Sequence, residues 1–139
     1  MEGYKKALAD KGIKNNSSDI ISCYGNLESN YKIISSLLKK KNRPDAMIAS
    51  VEKLTTPIYL ACKDLKIAIP DKLKVISFTN LQAATILAPT LTTVTQPAFE
   101  MGKLAATILF KALKKPNFVP ANENIVIPST LIVRDSTKK

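Results

Sequence analysis

The chain has 139 residues, 45% of them hydrophobic, enough for one ordinary domain with a real core and too apolar for a disordered segment. Its 21 basic residues exceed its 11 acidic ones for a net charge of +10, and it contains no histidine. No apolar run approaches the roughly 18–20 residues that span a bilayer, and the N-terminus MEGYKKALADKG lacks a signal-peptide core. The expectation is a soluble domain, or a fragment of one, with no membrane partner.

Arg43 and Arg134 are the only arginines, so the basic charge is nearly all Lys. A nucleic-acid surface usually carries more Arg, with aromatics interleaved. The densest run, Lys39-Lys40-Lys41-Asn42-Arg43, falls at the end of a predicted helix. Cations there complement the helix dipole; a phosphate contact is the alternative. Cys23 and Cys62 lie in apolar stretches without a CxxC pattern. With no His, the four N/S ligands of a structural zinc site are lacking. Two core thiols fit a reducing cytoplasm, and a disulfide between them stays open.

In chain order, residues 3–12 read as a helix with Tyr4, Ala7 and Leu8 on one side and Gly12 as its stop. Ile20–Tyr24 reads as a short strand. Leu27, Tyr31, Ile34, Leu37 and Leu38 recur at helical spacing, with Glu28, Lys32, Ser35 and Lys39 opposite. Asn42–Asp45 is a turn, and Ala46–Ala49 a strand buried on both faces. Ser50 is placed to cap the next helix, whose stripe is Leu54, Ile58, Ala61, Cys62 and Leu65. Pro57 either kinks that helix or opens it after a Thr56 cap. Leu73–Phe78 is a further buried strand.

Strand–helix alternation with short connections predicts an α/β fold, a parallel sheet with helices on both faces. Ligands in such folds sit at the carboxyl ends of the strands. Here those ends are Cys23–Gly25, Ala49–Glu52 and Phe78–Asn80. Leu81–Leu87 is a short apolar helix or loop, and Leu91–Thr95 is β-branched. Pro97 opens a helix over 98–114 whose polar residues, Glu100, Lys103, Thr107, Lys111 and Lys114, form one thin stripe. Such a helix should be deeply buried. Ile125–Ile127 and Thr130–Val133 read as two strands around Pro128.

Catalytic patterns are absent. The glycines at 3, 12, 25 and 102 allow no GxGxxG or Walker loop, and no GxSxG occurs. Without His there is no Ser-His-Asp or Cys-His arrangement. Glu52 with Asp64 or Asp19 is a conceivable carboxylate pair, but surface charge is the better reading. No enzyme is expected, and no cofactor or metal.

The motifs Pro44-Asp45-Ala46, Pro70-Asp71-Lys72-Leu73, Pro89-Thr90-Leu91-Thr92-Thr93-Val94-Thr95-Gln96-Pro97 and Met101-Gly102 follow one another. In that order the sequence resembles the C-terminal part of lactose-repressor-family (LacI/GalR) transcription regulators. The segment EGYKKAL at 2–8 resembles the helix that follows an effector-binding Arg in that family. The resemblance implies a type I periplasmic-binding-protein-like fold. Residues 1–90 would be its C-terminal subdomain; 91–139 would supply a crossover strand, helix 98–114 and return strands. The helix-turn-helix and N-terminal subdomain would be absent, and helix 98–114 would have lost part of its partner. It would then fold onto what remains, swap between protomers, or bury itself in a dimer.

The resemblance also carries a site and partners. Tyr24 falls near the family's ligand-stacking aromatic, although a rim or core tyrosine is an equal reading. Val51-Glu52, preceded by Ser50, replaces the family's Asn-Asp; Glu52 can accept from a hydroxyl, or simply face the helix start. Phe78-Thr79-Asn80 replaces Phe-Asp-Asp, so Thr79 and Asn80 keep hydrogen-bonding capacity without the carboxylates. Both are also ordinary turn residues. Leu81, Ala84 and Ile86 fall on a family dimer surface, with core packing as the alternative. The implied function is a cytoplasmic ligand-sensing domain of a homodimeric regulator. It would bind a small effector, a sugar, and touch DNA only through the missing domain. A periplasmic sugar-binding transport receptor is the alternative.

Overall fold

The computed structural model describes residues 1–14, 16–115, 117–120 and 124–138. Helix α1 (Glu2–Asp10) ends as expected at Gly12, which adopts φ +65° and returns its N–H to the Ala9 carbonyl. Helix α2 (Leu27–Leu38) is capped by Asn26, whose side chain accepts from the Ser29 N–H at 2.9 Å. Strand β1 (Ala46–Ala49) follows, then helix α3 (Thr55–Asp64), strand β2 (Lys74–Phe78) and strand β3 (Thr92–Thr95). Helix α4 spans Ala98–Lys114, and strand β4 Thr130–Ile132. Short 3-10 turns cover Ser17–Asp19, Glu52–Leu54 and Gln82–Thr85.

The sheet runs β1-β2-β3-β4. The first three strands are parallel, with Ala46 opposite Lys74 and Ile76 opposite Thr92; β4 is antiparallel, Thr93 opposite Ile132. The sheet is therefore continuous across positions 90–91. Partnered residues share a face, and alternation along each strand separates the two. One face carries Met47, Ala49, Val75, Ser77 and Thr93. Against it sit Ile34 and Leu38 of α2 and Ile58, Ala61 and Cys62 of α3, all in one core cluster with Leu73, Ala84 and Leu91. The buried Thr55 hydroxyl meets the Ser77 hydroxyl at 3.0 Å, satisfying both where helix crosses strand. The opposite face is thinly covered, and Ile48, Phe78 and Leu131 are exposed on it.

Pro57 does not open α3 after a Thr56 cap. It occupies the third helical position, where a backbone N–H has no intrahelical acceptor to lose. Ser35, expected on the wet side of α2, is buried instead. Cys23 and Cys62 are free thiols. Burial pushes the Cys62 thiol up to about 11, against a smaller downward pull from the Arg43 guanidinium.

Further expectations are corrected, among them a β1 buried on both faces, since Ile48 is exposed. Ile20–Tyr24 is not a strand: it pairs with no neighbour among the described residues, and an apolar run without a ladder partner has nothing to hold it extended. Ile125–Ile127 is likewise unpaired, with Val126 exposed. Helix α4 has the predicted bounds but not the predicted burial, since none of its residues is buried. Phe99 is 78% exposed and Leu113 72%.

One device had no counterpart in the sequence reading. After β4 the chain turns back through Arg134–Thr137 and stitches the amino ends of β2 and β3. The fully buried Ser136 hydroxyl donates to the Val75 carbonyl at 2.6 Å and accepts the Thr92 N–H at 2.8 Å. The Ser136 backbone takes the Val75 N–H and gives its own to Thr90.

Candidate functional site

The parallel strands end together at their carboxyl edge, where backbone groups leave the ladder and loops begin. β1 runs out at Ala49, and the next turn carries Glu52; β2 runs out at Phe78, followed by Thr79 and Asn80. The two loops meet. The Thr79 hydroxyl donates to Glu52 Oε2 at 2.5 Å and accepts the Leu81 N–H at 2.8 Å. Thr79 is buried while Glu52 stays exposed, so the carboxylate is held from one side and open on the other.

Asn80 is held differently. Its amide nitrogen donates to the Gln96 carbonyl at 2.7 Å, and its amide oxygen accepts the Gln96 N–H at 2.9 Å. This two-point clamp ties the end of β2 to the end of β3, where the chain departs for α4. Beside the clamp lies an open hollow of about 310 Å³, lined by Thr79, Asn80, Thr93, Thr95, Gln96 and Arg134 among others. Arg134 is fixed there, its Nη1 donating to the Leu91 carbonyl at 2.7 Å and to the Thr93 hydroxyl at 3.0 Å. The hollow's hydroxyls, amides and anchored guanidinium, with the Glu52 carboxylate held just beyond it by Thr79, are groups a polyhydroxylated ligand can use.

The remaining sequence candidates sit apart. Tyr24 is 89% exposed, and the side chains of Tyr24 and Ser50 make no hydrogen bond among the described residues. Tyr24 is nonetheless carried on a fixed turn. Asn30 donates to the Gly25 carbonyl at 3.0 Å, and a Cβ at Gly25 would lie 2.5 Å from that of Ser29. Of the three residues on the expected dimer surface, Ala84 is 1% exposed within the core and presents no surface to another protomer. Ile86 is 81% exposed, and Leu81 is half-buried. Sequence reasoning missed Arg134 and Gln96 as neighbours of Asn80. The signal available was that Arg134 is one of two arginines and that Gln96 belongs to the crossover motif.

A family model for the periplasmic binding protein-like domain matches residues 1–137. The chain belongs to that family. Among curated relatives, the ribose operon repressor of Haemophilus influenzae is 30% identical over 136 residues, covering 98% of the chain and 40% of the relative. The transcriptional regulator DegA of Bacillus subtilis is 33% identical over 137 residues, 99% of the chain and 40% of the relative. The chain thus spans about two fifths of the length of these relatives. The solved Escherichia coli repressor AscG is 29% identical with a TM-score of 0.78, over 96% of this chain and 48% of that one. A LacI-family regulator from Enterococcus faecium, solved with bound ribose, shares the fold at a TM-score of 0.77 and 24% identity. It covers 98% of this chain and 49% of that one. The resemblance to lactose-repressor-type regulators read from the sequence therefore stands. These relatives are transcriptional regulators, not enzymes. Among the described residues there is no metal-holding cluster of His, Cys, Asp or Glu, and no helix is long and apolar enough to cross a membrane.

Proposed function

We propose that the chain is the effector-sensing part of a cytoplasmic DNA-binding regulator and that its effector is a sugar. The observation that carries this reading is the Glu52–Thr79 pair at the carboxyl ends of β1 and β2. An exposed carboxylate already holding one hydroxyl is suited to accept from vicinal hydroxyls of a sugar, with Ser50 and Asn80 flanking it and Tyr24 as a stacking platform. The relatives named for the ribose operon support the sugar class. DNA is read by a helix-turn-helix domain elsewhere in the full protein. Effector binding shifts the equilibrium between domain arrangements that differ in operator affinity. The working unit is a homodimer, with Leu81 and Ile86 at the contact.

The test is operator release by the intact regulator across a panel of pentoses and hexoses. One sugar should release the operator, and Glu52→Ala should raise its half-effective concentration about tenfold, the equivalent of one charge-assisted hydrogen bond. An unchanged response in Glu52→Ala would reject the assignment.

A further inference from the structure

At the opposite, amino end of β1 and β2, the C-terminal ends of α2 and α3 converge on a second open hollow, of about 390 Å³. Lys39, Arg43, Lys66 and Lys72 line it over an apolar floor of Leu38, Leu65 and Ile67, with no carboxylate in the lining. Lys39 is the C-cap of α2, and Lys66 sits just past the end of α3 at φ 54°.

Dipole complementation accounts for part of this charge only. Each helix C-terminus presents roughly half a negative elementary charge, so two termini offset about one of the four cations. No side-chain carboxylate forms an ion pair with any of the four among the described residues. Among the described residues the ion pair formed is Lys32 with Glu28, on the flank of α2, and Asp64 is engaged by the Tyr31 hydroxyl at 2.7 Å. Arg43 Nη1 is buried without a hydrogen-bond acceptor. The Arg43 side chain as a whole is half-buried and forms no ion pair among the described residues, so its charge favours an anion in the hollow beside it.

We infer that this hollow is an anion site for a small phosphorylated compound, with Lys39, Arg43, Lys66 and Lys72 around the phosphoryl group and the apolar floor beneath its carbon body. The accessible part of Arg43 and the three lysines supply positive charge around the phosphoryl oxygens. The site is separate from the Glu52–Thr79 pair, so each stands or falls alone.

The test follows amide resonances of the chain during titration with inorganic phosphate, ribose 5-phosphate, and sodium chloride at matched ionic strength. Saturable shifts confined to 38–43, 65–67 and 72 are expected from the phosphorylated probes. Equal affinity for both would mark the phosphoryl group as all that is read, and tighter binding of ribose 5-phosphate would show that the carbon body contributes. Lys39 and Lys72 are exposed, so Lys39→Gln with Lys72→Gln should preserve the fold and weaken binding about tenfold. The inference is overturned if neither probe gives saturable shifts there, if sodium chloride reproduces them, or if the double variant binds as tightly as the parent. Ribose added alone reports on the other end of the sheet and should leave these resonances unmoved.

Discussion

Helices α3 and α4 make opposite use of apolar sequence. α3 has ten residues and buries five of them, Thr55, Pro57, Ile58, Ala61 and Cys62. α4 has seventeen, among them Phe99, Met101, Leu109, Phe110 and Leu113, and buries none. The difference is one of connection. α3 joins two adjacent parallel strands, so the crossover lays it back on the sheet it came from. α4 leaves from the end of β3 and returns only through β4, which pairs antiparallel at the sheet edge. Composition sets how much apolar surface a helix offers; topology sets whether the same chain supplies something to cover it.

Core truncation should separate the two helices most strongly. Ile58→Ala should cost about 2–5 kcal/mol in chemical denaturation, whereas Leu113→Ala should stay within about 0.5 kcal/mol. Equal losses would mean that α4 is packed in solution. The next largest effect should come from the tail that stitches β2 to β3. Ser136→Ala strands the buried Thr92 N–H and removes a donor from the Val75 carbonyl, for a loss of about 1–3 kcal/mol. Asn80→Ala breaks the clamp on Gln96 and should cost about 1 kcal/mol, less because both partners reach solvent; faster amide exchange at Gln96 would accompany it.

A separate effect should appear in the pH dependence. The folded state holds the Cys62 proton more tightly than an open chain, its pKa being raised from about 9.0 to about 11. Tyr59 behaves alike, pushed up to about 12 by burial, its hydroxyl donating to the Pro89 carbonyl at 2.9 Å. Where the unfolded chain has lost a proton that the folded one keeps, stability falls as pH rises. The decline should therefore begin near pH 9 and be complete for Cys62 by about 11, read from denaturation midpoints across that range. Cys62→Ser should flatten the lower part of this decline.

Elements whose signal is local were legible in the sequence. Ala46–Ala49 and the helix over 98–114 have the bounds that apolar runs and Pro97 indicate. Ile20–Tyr24 has the composition of a strand, but a strand also needs a neighbour, and composition does not supply one. The tail at 134–137 went unseen for the converse reason. Its work is done by Arg134, Ser136 and Thr137, polar residues whose partners lie more than 40 positions away. At the site, the resemblance placed Glu52, Thr79 and Asn80 at strand ends, and the structure joins the first two. That Asn80 spends its amide on Gln96 depends on a pairing across β2 and β3 that no motif spells out.

The most direct test is a titration of the protein with the pentose and hexose panel, followed by amide resonances, residue by residue. The account predicts saturable shifts centred on Ser50–Lys53 and Phe78–Leu81, lost in Glu52→Ala. Saturable binding of any of these sugars with shifts that avoid both segments would contradict it.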